Sequence, residues 1–233
     1  MALLGRAVRW IARYKVPAMA PTPRHVLRDD LLIGHGSQRS CYVHPADRQR
    51  CIKVPKHPAH PEAQQANLVD RHYARSLDRR GVSHAHRARI YGWAPTTQAD
   101  GLVVERICND DGTPAIKLQH ALKYGIVQRD EAEALLGELR HWVLTNHIAV
   151  HDLSPGNLLV KQTSAGNTLV LIDGIGGQKI KLKFLLYLYS PRFARAITRR
   201  RWPAFEKKIQ ARLDRVTPVQ PSPSLDESLG RRL

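Results

Sequence analysis

Acidic residues are scarce in this chain: 20 Asp and Glu stand against 37 Lys and Arg among 233 residues, for a formal net charge of +17. An imbalance of that size excludes a polyacidic surface and favours anionic partners, whether phosphates, anionic lipid or nucleic acid, without specifying a fold. Cysteine is scarcer still. Cys41, Cys51 and Cys108 are odd in number and widely spaced, which excludes a paired-cysteine zinc motif and a secreted disulfide framework and points to a reducing compartment. No apolar run is long enough to span a bilayer, and the first residues lack the continuous apolar stretch of a secretory signal. A cytoplasmic protein is expected, with peripheral attachment to the inner face of the membrane as the variant that its ends suggest.

The chain divides into four stretches. Residues 1–24 hold a basic amphipathic helix and a proline-rich linker: Leu3, Leu4, Ala7, Val8, Trp10, Ile11 and Tyr14 gather on one face, Arg6, Arg9 and Arg13 on the other, and Pro17, Pro21 and Pro23 end the pattern. Such a helix suits either an anionic membrane surface or the protein's own core, with an organellar presequence, for which arginines without acids speak, as the third alternative. In residues 25–107, strand patterns at Leu31–Ser37, Cys41–Pro45 and Arg50–Val54 precede a helical segment from about Glu62 to Arg80, with Leu68, Tyr73 and Leu77 facing inward. Two further strands follow at Arg89–Trp93 and Gly101–Ile107. Residues 108–216 are mainly helical. There Ala132, Leu135, Leu136, Leu139, Trp142, Val143 and Ile148 repeat at helical spacing, and short apolar runs at Asn157–Val160 and Leu169–Ile172 suit a hairpin. Lysines and arginines crowd Lys179–Arg215 among aromatic and aliphatic residues, which suits first a structural helical cap with a basic exterior, next an anionic lipid surface, and last nucleic acid, for which there is no recognisable module. Residues 217–233, rich in proline and serine, read as a disordered tail.

The residues that carry chemistry are His151-Asp152-Leu153-Ser154-Pro155-Gly156-Asn157 and, beyond the next apolar strands, Ile172-Asp173-Gly174. Phosphoryl transfer depends on holding phosphates, metal and acceptor in line, so few residues suffice. In that scheme Asp152 orients the acceptor hydroxyl and takes its proton, while Asn157 and Asp173 offer hard oxygen ligands to magnesium. Lys53, on a strand, meets the phosphates of ATP. Asp70 on the following helix is the best placed acid to aim that lysine, with Glu62 the weaker candidate. Gly34 and Gly36 turn the backbone over the phosphates and present amide hydrogens, and backbone from Glu105 to Ile107 is the place for an adenine contact. Singly, each residue has a structural explanation, since glycines make turns and a strand lysine is commonly an edge residue. Their joint order carries the reading. His57, His60, His84 and His86 lack companions for a tetrahedral metal set and are expected at the surface.

This pattern resembles the protein-kinase-like superfamily, nearer to its small bacterial phosphotransferases at Asp152–Asn157. More closely, Gly34-His35-Gly36 through Cys41–Pro45, Arg50–Val54 and Asn109-Asp110-Asp111-Gly112 resemble the YrbL family associated with the PhoP regulatory network. The resemblance covers roughly residues 31–177. It implies an α+β, two-lobed protein-kinase-like fold, with a small antiparallel-sheet lobe carrying one helix and a reduced, mainly helical second lobe, and it implies nucleotide binding. The expected activity is ATP- and magnesium-dependent transfer to a small-molecule, lipid or saccharide hydroxyl. The alternative is a catalytically weak pseudokinase serving as a nucleotide-sensing regulatory or membrane-peripheral module. Four departures bear on that choice: Arg39 stands at the third glycine position, Cys41 replaces a valine, Asp70 is a methylene shorter than the usual glutamate, and Gly174 replaces the phenylalanine of Asp-Phe-Gly.

Overall fold

The computed structural model describes residue 16 and residues 24–216, so the expected N-terminal amphipathic helix, most of the linker and the tail lie outside the described residues. The elements run β1 (Leu32–His35), β2 (Arg39–His44), β3 (Asp47–Pro55), α1 (Gln65–Arg79), β4 (Ile90–Ala94), β5 (Gly101–Glu105), β6 (Ile116–Lys117), α2 (Leu118–Lys123), α3 (Arg129–Thr145), β7 (Leu158–Thr163), β8 (Gly166–Leu171), α4 (Leu182–Tyr189) and α5 (Pro191–Leu213). The described residues cluster into two compact units, the first holding those up to residue 82 with 89–106 and 175–193, and the second holding 83–88, 107–174 and 194–216.

The first unit is a five-stranded antiparallel sheet in the order β1-β2-β3-β5-β4. Its strands are short, and the pleat sends successive side chains to opposite faces, so each face collects one parity of side chains. Ile52 and Val54 pack with Leu27, Tyr42, Ala94 and Val103 on one face. The other face carries Cys51, Leu102 and Val104. Lys53 pairs in register with Cys41 and Leu102, so it shares that second face. Helix α1 buries Leu68, Tyr73 and Leu77, the residues its spacing predicts, together with Asn67 and Val69. Residues 175–193, which the sequence groups with the helical half, belong to the first unit. The cause is tertiary: the Ile180 amide donates to Gln65 Oε1 (3.1 Å), and the Phe184 ring lies 6.4 Å from that of Tyr73 on α1.

His72 sits half-buried on α1 beside Arg71, Arg75 and Arg79. Burial, reinforced by those three positive charges, lowers its pKa to about 4 from an ordinary 6.5. The unfolded chain thus takes up a proton near pH 6.5 that the folded chain refuses until about pH 4. Stability contributed by neutral His72 is complete above pH 6.5 and is lost as the pH falls through that window. His72→Gln is expected to flatten the decline of the thermal midpoint between pH 6.5 and 4, and an unchanged slope would contradict this origin.

The second unit combines the sheet β6-β7-β8 with α2, α3 and most of α5. The heptad-like pattern of α3 buries Ala132, Leu135, Leu136, Leu139 and Val143, and Asp130 and Glu131 fall in its first turn, where acids complement the helix dipole. Trp142, predicted to be core, is half-buried, and its indole N–H donates to Ser83 Oγ (3.1 Å). His86 is a correction to the surface expectation. It is buried, its Nδ1 is 2.8 Å from the Leu169 carbonyl, and its ring lies 5.3 Å from that of Trp142. His57 and His60 are exposed. From α5, the buried Thr198 hydroxyl donates to the Ile148 carbonyl and accepts from the Val150 amide, both at 2.9 Å, which fixes the backbone two residues before Asp152. Among the described residues, no helix is long and apolar enough to cross a membrane.

Candidate functional site

In the first unit the predicted lysine and its acid come together, and an arginine shares the acid. Asp70 Oδ2 accepts from Arg39 Nη1 at 2.6 Å and stands 3.8 Å from Lys53 Nζ. Arg39 Nη1 also donates to Asn67 Oδ1 (3.0 Å), and Asn67 Nδ2 donates to the Lys53 carbonyl (3.0 Å). The side chains of Arg39, Asp70 and Lys53 are only 8%, 11% and 13% exposed, so these charge-assisted bonds form in a setting that weakens them little by screening. A single carboxylate therefore serves two cations. The shorter contact goes to Arg39, the residue in the third glycine position. Strand parity makes this readable, because Arg39 is two residues from Cys41 and falls on the same face as Lys53. Glu62, the weaker candidate, is exposed and pairs instead with Lys179.

The glycine segment is a closed hairpin. The Gly36 amide donates to the Arg39 carbonyl (2.8 Å), so the hydrogen expected to meet phosphate is engaged in the turn. Gly34 lies in β1 opposite Cys41, and a Cβ there would meet nothing within 4 Å. In the expected adenine segment, the Glu105 amide donates to the Arg89 carbonyl (2.9 Å) and its carboxylate accepts from the Arg89 amide (2.9 Å). The Arg106 amide donates to Gln49, and the Ile107 carbonyl accepts from Ala115. Beside Lys53, a hydrogen bond from Cys51 together with the charges of Lys53, Arg39 and Arg106 outweighs burial and lowers the Cys41 thiol to about 7. The same bond and burial push Cys51 up.

In the second unit the acid-amide-acid set is assembled by backbone. The His151 and Asp152 amides both donate to the Gly174 carbonyl, at 2.8 and 3.3 Å, and the Ile172 amide donates to the Asn157 carbonyl (3.0 Å). These bonds zip the loop that carries Asp152 and Asn157 to the loop that carries Asp173. Asn157 Nδ2 donates to Asp152 Oδ2 (3.4 Å), and Asp173 Oδ1 accepts from the Gly174 amide (2.8 Å). Gly174 makes the approach possible. Its φ is +90°, and a Cβ would stand 1.8 Å from the Asp152 carbonyl oxygen. Lys208 of α5 adds a contact that no local pattern announces, with Nζ 3.2 Å from Asp152 Oδ1. The pair is exposed, so its worth lies in placing charge beside Asp152 more than in stability.

Among the described residues, no cluster of three or more His, Cys, Asp or Glu is arranged to hold a metal. Asn157 and Asp173 fit a narrower role, because magnesium commonly takes one or two protein oxygens and completes its shell with phosphates and water.

The order of three strands, a helix and two strands, followed by a helical unit whose hairpin is flanked by Asp152 and Asp173, gives the chain an α+β architecture in the element order that the sequence resemblance implies. A family model described as PhoP regulatory network protein YrbL matches residues 26–210, and the chain belongs to that family. YrbL of Escherichia coli (strain K12) and YrbL of Shigella flexneri are each 31% identical over 147 residues, covering 62% of this chain and 70% of theirs. A chain in the structure of the CAK complex of Chaetomium thermophilum bound to ATP-gamma-S aligns with 61% of this chain at 20% identity and a TM-score of 0.44. The alignment spans 44% of that longer chain.

Proposed function

We propose that the protein is a phosphotransferase that binds ATP with magnesium and transfers a phosphoryl group to a hydroxyl of a small-molecule, lipid or saccharide acceptor. The observation that carries this reading is the backbone zipper at Gly174, which holds Asp152, Asn157 and Asp173 in one place. A pair of loops tied this closely is preorganised, and phosphoryl transfer draws most of its rate from such positioning. Asp152 is assigned the acceptor proton, Asn157 and Asp173 the magnesium, and Lys53, aimed by Asp70, the ATP phosphates. Magnesium, when bound, neutralises charge on the phosphates. Lys208 sits where a cation would offset charge developing beside Asp152.

The second reading, a nucleotide-sensing module of low activity, is favoured by one feature: the Gly36 amide is engaged in its own hairpin, where a phosphate loop would present it. Thermal shift separates the possibilities. ATP with magnesium is expected to raise the midpoint of the wild type, because ligand binding to the folded state stabilises it. Asp173→Asn is expected to abolish that magnesium-dependent rise. Asp152→Asn is expected to retain the rise and to lose transfer by a factor on the order of a thousand, measured by labelling of acceptor pools from γ-labelled ATP. No rise at millimolar nucleotide would overturn both readings, whereas a rise without labelling would leave the sensing module.

A further inference from the structure

Helix α4 is apolar on two opposite sides. Phe184 and Tyr187 point into the first unit, 2% and 3% exposed, and Tyr187 packs 5.8 Å from the Phe193 ring. Leu182, Leu186 and Tyr189 are 68%, 41% and 64% exposed, at spacings of four and three residues, which line up on one side of a helix. Three large apolar side chains along a surface helix form a patch that ordinary solvent-facing helices avoid, and such a patch is expected to meet a partner. What lies around it identifies the partner. Exposed Lys181, Lys183 and Arg192 lie beside the stripe in sequence, Lys183 with its Nζ 5.8 Å from the Tyr187 ring. From Gly174 to Phe205 the chain carries eight lysines and arginines and no acid, and Lys179 within that run pairs with Glu62.

We propose that α4 is a docking surface for an anionic lipid bilayer, with Leu182, Leu186 and Tyr189 entering the acyl boundary and Lys181, Lys183 and Arg192 meeting the headgroups. The two halves of the feature require a partner with both properties. A nucleic acid supplies phosphates to the cations but offers no apolar depth to the leucines, whereas a bilayer supplies a negative surface over hydrocarbon. The tyrosine at the end of the stripe suits the interface, where an apolar ring and a polar hydroxyl are both accommodated. This surface is independent of the phosphotransferase reading, since it uses none of the residues assigned to nucleotide or acceptor.

The test is co-sedimentation of the full chain with vesicles of phosphatidylcholine alone or phosphatidylcholine with phosphatidylglycerol. The wild type is expected to bind the anionic vesicles at least about tenfold more tightly than the neutral ones, and to lose binding as salt is raised. Leu182→Glu with Leu186→Glu, and separately Lys181→Glu with Lys183→Glu, are each expected to weaken anionic-vesicle binding by about tenfold or more. The leucine variant leaves the buried face untouched, so its thermal midpoint should match the wild type. Undiminished vesicle binding by the leucine variant would overturn the proposal, as would failure of the wild type to bind either vesicle. Salt-sensitive binding to RNA that the leucine variant retains, without vesicle binding, would assign the basic run to nucleic acid and also overturn it.

Discussion

Gly174→Ala is expected to cost the second unit more than about 4 kcal/mol and to undo the arrangement of Asp152, because no small movement relieves a Cβ placed 1.8 Å from the Asp152 carbonyl oxygen. Two costs add. A φ of +90° is one that side chains with a Cβ rarely adopt, which contributes about 1–2 kcal/mol. The clash is with backbone, which cannot rotate aside as a side chain does, so the loops must separate and give up the bonds from the His151 and Asp152 amides to the Gly174 carbonyl. Gly166→Ala provides the comparison. Its φ is +119°, but a Cβ there meets nothing within 4 Å, so only the conformational cost applies. Denaturant midpoints of the two variants, with hydrogen exchange at the His151 and Asp152 amides, would separate clash from conformation. Equal losses, with those amides still protected in Gly174→Ala, would show that the zipper does not depend on the glycine.

Asp70→Asn is expected to destabilise the first unit by about 3–5 kcal/mol, since removing one partner from a buried charge cluster leaves the others without compensation. The substitution preserves shape and takes away only the charge that Arg39 and Lys53 share at 2.6 and 3.8 Å. For a chain of this size the loss corresponds to a fall in thermal midpoint on the order of 10 °C. Arg39→Met in the same background is expected to recover much of it, because the buried guanidinium charge that Asp70 offsets is then gone. The double-mutant cycle measures the coupling directly. A loss within the roughly 0.5 kcal/mol of an ordinary surface change would mean that water relaxes the cluster, and the shared-carboxylate description would fail.

Much of the architecture is legible along the chain because it is local. Short runs rich in β-branched and aromatic residues, bounded by turn residues, mark the five strands of the first unit, and a 3.6-residue repeat marks α1 and α3 along with most of the residues they bury. The segment Ile116–Lys123 escapes such a reading, since a strand of two residues and a helix of six are too short to show a period. Residues 175–193 escape for another reason. Their placement is decided by Phe184 and Ile180 meeting α1 more than a hundred residues earlier, and no local propensity encodes that. The candidate site divides the same way. The joint order selects Asp152, Asn157 and Asp173, whereas Arg39 reads first as a missing glycine, and strand parity puts it on the face of Lys53 without showing that its side chain takes the shorter contact with the acid meant for Lys53. Lys208 reaches Asp152 across 56 residues of chain, beyond any motif.

The hydroxyl of Thr198 gives these distances a meaning in time. It bridges Ile148 and Val150 from 50 and 48 residues downstream. At about 5–20 residues per second, a ribosome completes the loop of Asp152 several seconds before it delivers the side chain that pins the segment leading into it. Until then the Val150 amide must be satisfied by water. During synthesis the acid is therefore present early but held late, and a nascent chain stopped short of α5 carries the full motif without the support that aims it.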